Sequence, residues 1–386
     1  MDLENLNIAL IHYWLQSIRG GEQVLLSLAD LYPKSDIFSL FADPAIRTRF
    51  SNKITTSGLD KIPGMRRLHR FLLPFYPAAL EQFDLSQYDL VISSESGPAK
   101  GVITRPETCH ICYCHSPMRY AWNMYHEYWR TAPPWTRLFM LMSMGSIRRW
   151  DLATASRVDY FLANSQNVRR RIQKYYRRDA LVIHPPVNVD QFQPVPDGER
   201  EDYYFILSEL VPYKRLDLAV DVFNRSQRRL IVGGSGSELN KLRQLAGPNI
   251  TFLGHVSQER LPRLYARARA LIFPGEEDFG ITPLEAMASG TPVIGYGRGG
   301  ITETVIDGQT GIFFKEQSRA GLAQALDQFE KEGVNGSVED MRTRAMEFSL
   351  PRFQLKLSKT IEILYSNYQN GIPHQDQNKL TELIHP

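Results

Sequence analysis

Cysteine is scarce in this chain. The three that occur, Cys109, Cys112 and Cys114, stand within six residues of one another, so no disulfide can staple distant parts of the fold and a reducing compartment is expected. His110 and His115 lie beside them, but a structural zinc site draws four ligands from separated pairs and the sequence offers no second pair. No metal is expected. Long apolar runs are missing as well: the most apolar window, 138–147, is far shorter than the ~20 residues a spanning helix needs. The opening Met1-Asp2-Leu3-Glu4 lacks the basic start and apolar run of a secretory signal, which predicts a cytoplasmic chain. There is no low-complexity tract and no fixed-period repeat, which sets aside disorder and solenoids. The Gly-x-Gly-x-x-Gly fingerprint, with an acidic residue about 20 positions on, is also absent, and this argues against a nicotinamide oxidoreductase.

What is present is length and rhythm. A chain of 386 residues, 43% of them hydrophobic, exceeds one ordinary core and predicts two domains. Strand-like apolar runs at 7–15, 36–41, 88–93, 108–113 and 160–163 alternate with helical segments. The same alternation continues at 204–208, 229–233, 250–253, 270–274 and 292–295, with helices such as 216–225 between them. The fold class predicted is α/β, with two Rossmann-like doubly wound domains. The first is placed at 1–187 and the second at 188–350, with a polar, Pro-containing linker running to Asp202. A helix at 351–370 is expected to return to the first domain, and 371–386 to form a loose tail.

Charge is unevenly shared. Residues 1–187 carry 23 Lys and Arg against 16 Asp and Glu, a net of +7, and the remainder 22 against 26, a net of −4. A basic half suits an anionic surface. Its sharpest cluster, Arg66, Arg67 and Arg70, runs into Phe71-Leu72-Leu73-Pro74-Phe75-Tyr76 and reads either as a helix lying in a bilayer interface or as a solvated basic face beside a core-packing one. No nucleic-acid module accompanies it.

Two motifs carry chemistry. After the first strand, Gly20-Gly21-Glu22 opens an amphipathic helix, and a Gly pair there lets backbone amides approach a phosphate; a plain tight turn is the alternative. The second motif, running from Phe273 to Gly290, is more specific. Thr282-Pro283-Leu284-Glu285 reads as a capping box with proline at the first helical position. Glu277 on the preceding loop and the Phe279-Gly280 step are left over by that explanation. Two carboxylates eight residues apart suit polyhydroxyl recognition, since each accepts two charge-assisted hydrogen bonds.

Here the chain resembles the family 4 retaining glycosyltransferases of the GT-B fold. Their Glu-x7-Glu motif corresponds to Glu277 and Glu285. Other elements follow in family order: Gly20-Gly21-Glu22, His115, Asn164-Ser165, Pro186 to Asp190, Leu210 to Arg215, Gly233 to Gly236, Gly254-His255-Val256 and Gly299-Gly300. The resemblance spans about 7–370. It implies a donor site in the cleft between the domains, with Glu277 near the donor sugar, Glu285 on the nucleotide ribose, and the loop at Asp278, Phe279, Gly280 and Ile281 contacting sugar and diphosphate. Lys214 would neutralise the leaving diphosphate and His115 would lie beside the donor sugar. Glu209 stands where many relatives have arginine, and Arg215 is the candidate replacement. Arg119, Tyr120 and Trp122 are candidate acceptor contacts, although the aromatics from Trp122 to Trp135 equally suit packing between domains or against a membrane.

The activity implied is transfer from a nucleoside diphosphate sugar with retention, without a metal and without a cofactor beyond that donor. The wording at Leu210 to Arg215, Phe273 to Glu285 and Gly297 to Gly300 resembles bacterial O-antigen and exopolysaccharide mannosyltransferases. GDP-mannose is therefore the expected donor, a lipid-linked saccharide the expected acceptor, and the cytoplasmic face of the inner membrane the expected place of action. A UDP-sugar transferase and a non-catalytic sugar-nucleotide or glycan-binding module are the alternatives. A glycan phosphorylase lacks support because no cofactor-lysine motif is present.

Overall fold

The computed structural model describes residues 3–18, 20–196 and 198–371. The tail expected after Gly371, Arg19 of the first loop and the side chain of Arg70 lie outside the described residues. The described residues form two compact units, one within 1–185 together with 353–371, the other within 186–352.

The first unit is built on seven parallel strands: β1 (Ile8–Leu15), β2 (Asp36–Ala42), β3 (Ile54–Thr56), β4 (Leu90–Glu95), β5 (Cys109–Cys114), β6 (Tyr160–Ala163) and β7 (Leu181–Val182). Their order is β3-β2-β1-β4-β5-β6-β7. Parallel pairing demands crossover connections, and these cover both faces of the sheet; every residue of β5 is accordingly buried, all three cysteines included. Strand order reverses between β1 and β4. Beyond the carboxyl ends of those two strands lies the crevice where open sheets of this kind receive ligands.

The second unit repeats the plan with β8 (Tyr204–Leu207), β9 (Leu230–Gly233), β10 (Ile250–Gly254), β11 (Leu271–Phe273), β12 (Val293–Tyr296) and β13 (Gly311–Phe314), in the order β10-β9-β8-β11-β12-β13. Its reversal falls between β8 and β11. One core gathers Phe205, Leu271, Phe273, Leu284 and Met287, and a second gathers Ile206, Leu216, Phe223, Ile294 and Phe314.

The helix Leu350–Gln369 begins in the second unit and buries Phe353, Leu357, Ile361 and Leu364. Within the first unit Phe353 meets the ring of Tyr113 edge-on at 6.2 Å, and the Tyr368 hydroxyl donates to the Pro106 carbonyl.

Three expectations need correction. The strands β3, β7 and β13 were not read from the sequence; β3 and β7 have only three and two residues, too few to show a period. Of the stretch read as a linker, from His184 to Asp202, Val189 and Phe192 lie in the core of the second unit, the Phe192 ring 5.7 Å from that of Tyr265. The basic segment is not one interfacial helix. It breaks into 3-10 turns at Met65–Phe71 and Leu73–Phe75 and a helix at Tyr76–Glu81, because Pro74 and Pro77 withhold amide protons. Arg66 is held by Asp60 at 2.9 Å.

Deep in the first unit Lys100 and Asp151, both fully buried, form an ion pair. The Asp151 carboxylate also accepts from the Trp122 indole at 2.7 Å and the Tyr176 hydroxyl at 3.0 Å. Removing one member of such a pair strands a charge in low dielectric, so Lys100→Met is expected to lower unfolding free energy by about 3–5 kcal/mol. Urea denaturation of the variant against the parent measures this; a loss below about 1 kcal/mol, the range of solvent-exposed pairs, would show the pair to be uncharged or hydrated.

Candidate functional site

Each unit brings sequence-predicted residues to its own strand-order reversal. In the first, β1 and β4 are paired so that His12 faces Ser94 across the ladder. The His12 Nδ1–H donates to the Ser94 carbonyl at 2.9 Å, which leaves Nε2 as the second nitrogen of a buried ring, 3.7 Å from the Glu22 carboxylate. His115, one residue past β5, shares a 2.9 Å hydrogen bond with the Ser94 hydroxyl. Gly20 opens the helix Gly20–Leu31, and a β-carbon at Gly21 would lie 3.5 Å from His115 Nε2 and 3.8 Å from His12 Cε1. The Gly pair thus seats the helix start directly on two imidazoles. His12 and Ser94 were missed from the sequence, because a histidine inside an apolar strand reads as a core residue until its neighbour strand is known.

Tyr120 and Arg119 follow His115 and are half-buried. Trp122 is held by Asp151 and stacks on Tyr175 at 5.0 Å, with 18° between the planes. Its position is fixed by the first unit's own packing. Ser165 caps the helix Gln166–Tyr176 by accepting from the Val168 amide.

In the second unit the loop after β8 carries Glu209 to Arg215, and the loop after β11 carries Gly275 to Gly280. Lys214 and Glu277 form an ion pair, both largely shielded from solvent; the ammonium also stands 5.3 Å from the centre of the Tyr213 ring. Glycines permit this meeting. A β-carbon at Gly275 would fall 2.8 Å from the Lys214 Cα, so the loops touch backbone to backbone. A β-carbon at Gly299 would sit 2.4 Å from the Glu277 carbonyl and one at Gly300 2.2 Å from the Phe279 Cα, while the Gly300 amide donates to the Glu277 carbonyl at 2.9 Å. On the other side Gly234 and Gly236 abut the carbonyls of Ser208 and Leu210.

The remaining predicted residues divide by role. Glu209 is exposed on its loop. Arg215 adopts a left-handed backbone, φ 55°, and its guanidinium binds Asp217 at 3.1 Å and Gln317 at 3.5 Å. Gly254 ends β10, His255 is exposed beyond it and Val256 returns to the core. Asp278 is half-buried, whereas the Phe279 side chain is core, 5.8 Å from Phe348.

The expected capping box is not formed. The helix is Ile281–Ala288 with Gly280 as its cap, at φ 91° and with no side-chain cap bond; only glycine takes that backbone readily, so Thr282 and Pro283 lie inside the first turn. Glu285 is released from capping and accepts instead from the Tyr265 hydroxyl at 2.7 Å. Burial pushes its carboxyl up to about 6, against the Tyr265 hydrogen bond, which lowers it. Such a group changes charge near neutrality.

Among the described residues no group of three or more His, Cys, Asp or Glu could hold a metal ion, and no helix is long and apolar enough to cross a membrane.

Comparison with known proteins follows the two units. Residues 18–191 match the family described as Glycosyltransferase Family 4, and residues 189–348 that described as Glycosyl transferases group 1. The D-inositol 3-phosphate glycosyltransferase of Streptomyces avermitilis is 28% identical over 313 residues, 64% of this chain and 68% of the relative. The O-antigen chain mannosyltransferase RfbU of Salmonella typhimurium is 33% identical over 36% of this chain and 43% of its own length. The GDP-mannose-dependent alpha-(1-6)-phosphatidylinositol monomannoside mannosyltransferase of Mycolicibacterium smegmatis is 32% identical over 38% of this chain and 46% of its own. The match thus spans less than half of either mannosyltransferase. In fold, the chain resembles Anabaena HepE, solved with UDP-glucose, with a TM-score of 0.68 over 92% of this chain and 99% of that one at 16% identity.

The glycine contacts set a direct test. Gly275→Ala forces two backbones apart and is expected to cost about 1–3 kcal/mol by overpacking. Gly145→Ala, on an exposed helical stretch whose nearest neighbour is 3.9 Å away, is expected to gain about 0.5–1 kcal/mol. Thermal unfolding of both variants measures the pair; equal effects would show that the loop contact is slack.

Proposed function

We propose that this chain, which belongs to the family 4 glycosyltransferases, moves mannose from GDP-mannose onto a lipid-linked saccharide with retention of configuration and without a metal. The observation that carries the reading is the Lys214–Glu277 pair at the strand-order reversal of the second unit, with half-buried Glu285 on the helix that follows.

On this reading each member of the pair exchanges its partner for a group on the donor. Lys214 takes the diphosphate oxygens, and Glu277 accepts hydroxyls of the sugar. As the anomeric C–O bond breaks, negative charge builds on the departing diphosphate, and a fixed ammonium stabilises that charge more than it stabilises the bound donor. The departing oxygen takes the proton of the acceptor hydroxyl, whose oxygen bonds to the anomeric carbon on the same face. No protein nucleophile is needed. Glu285 accepts the ribose hydroxyls, and the Tyr265 hydroxyl steadies its carboxylate.

GDP-mannose leads because two of the matched relatives are mannosyltransferases, one of them GDP-mannose-dependent. That same relative acts on a phosphatidylinositol mannoside, in line with a lipid-linked acceptor. The fold neighbour solved with UDP-glucose supports the second reading, a UDP-sugar donor.

A thermal-shift panel separates the two, since a ligand bound only by the folded state raises the melting temperature. Stabilisation by GDP and GDP-mannose over UDP and UDP-glucose is expected; the reverse order moves the donor to a UDP-sugar, and silence from all four contradicts the reading. Lys214→Ala should lower kcat by about 10²–10³-fold. Activity in EDTA should equal that in buffer, and NMR of the product should show the donor's anomeric configuration.

Glu285 predicts the pH dependence of donor binding. Its raised pKa, about 6, means that the folded protein holds the neutral carboxyl below that value and the carboxylate above it. Ribose hydroxyls donate best to the carboxylate, so affinity for GDP-mannose, whose diphosphate has no proton to lose in this range, should rise between pH 5 and 7 and then level off. Titration calorimetry of Glu285→Gln should give weaker binding with a flat profile.

A further inference from the structure

The helix Pro134–Ala155 has two apolar faces where one would suffice. Met140, Met144, Ile147, Asp151, Thr154 and Ala155 turn inward at helical spacing and account for its packing in the first unit. On the opposite side, Trp135, Leu138, Leu141 and Met142 are 59%, 59%, 68% and 76% exposed. A surface helix of a globular unit is expected to be polar on that face. The ridge continues onto the neighbouring turn Met65–Phe71, because the Phe71 ring lies 5.3 Å from that of Trp135; Leu68 and Phe71 are 50% and 43% exposed.

Charge identifies what this ridge meets. The stretches 61–80 and 128–150 that form it contain four Lys or Arg each and not one Asp or Glu. Arg67 stands exposed beside Leu68. Arg149, also exposed, lies two helical turns beyond Met142 on the same face. A protein partner could be of either charge, whereas an apolar ridge that carries exposed Arg67 and Arg149 matches acyl chains under anionic headgroups. The helix cannot span a bilayer: among the described residues no helix is long and apolar enough.

We infer that the outer face of Pro134–Ala155, with Leu68, Phe71 and Arg67, lies in the surface of an anionic bilayer, with Trp135, Leu138, Leu141 and Met142 inserted at the level of the headgroup boundary. This shifts the membrane contact from the arginine cluster itself to the helix beside it, since Arg66 is already held by Asp60. It deepens the reading of a lipid-linked acceptor and rests on it for its purpose, though not for its chemistry.

Cosedimentation of the full chain with phosphatidylcholine vesicles, with and without phosphatidylglycerol, is the test. Binding that requires phosphatidylglycerol and weakens with salt is expected. Leu138→Gln, Leu141→Gln and Met142→Gln combined should lower it about tenfold or more with no fall in melting temperature, as the side chains are exposed. Arg67→Glu with Arg149→Glu should remove the preference for anionic lipid. Brominated lipid should quench tryptophan emission, and Trp135→Phe should abolish most of that quenching. Absence of vesicle binding by the parent chain, unchanged binding by the triple variant, or a self-association in sedimentation equilibrium that the triple variant abolishes would overturn the inference. Hydrolysis of free donor, measured alongside, reports on the transferase reading separately.

Discussion

Backbone meeting backbone, with no side chain between, is the contact on which the second unit's site depends. Lys214 and Glu277 reside on loops that leave different strands, and two long flexible side chains on separate loops would ordinarily spend much entropy to stay paired. The close approach at Gly275 removes that freedom by fixing the loops themselves. Gly299 and Gly300 brace the Glu277 loop from the far side, and Gly234 and Gly236 brace the β8 loop. The charged pair is therefore held in place by the packing of its loops and not by its side chains alone.

Two of the lysine–carboxylate pairs, Lys100–Asp151 and Lys214–Glu277, show what burial does with the same chemistry. Lys100 and Asp151 are sealed, and Asp151 has further donors in Trp122 and Tyr176; nothing can displace them. Lys214 and Glu277 keep a fraction of their surface in solvent, 14% and 18%. That exposure leaves both groups within reach of solvent. One pair is sealed and the other is open to solvent, and the difference lies in access rather than in residue type.

Much of this was legible in the sequence. The alternation of apolar runs gave both sheets, because parallel strands are buried on both faces and read as continuous runs. Short strands such as β7 carry no period and could not be seen. Glu277 and Glu285 were legible as a spaced motif and Lys214 through the family resemblance, yet the capping box was misread. Thr-Pro-x-Glu satisfies the local rule, but the left-handed Gly280 starts the helix earlier and so frees Glu285 for Tyr265, a partner 20 residues away. His12 was hidden for the same reason: its meaning depends on Ser94, a neighbour 82 residues distant. Local patterns were readable and long-range pairings were not.

The topology also orders events in time. The second unit, 186–352, is an insertion between the strands of the first and the helix Leu350–Gln369. That helix is translated after the whole insertion, yet its Phe353 packs against Tyr113 of β5, a central strand of the first sheet. At ~5–20 residues per second the first sheet must wait on the order of ten seconds for its last layer. During that interval the nascent first unit leaves open the surface at Tyr113 that Phe353 later covers, and a ribosome stalled within the insertion would hold it in that state.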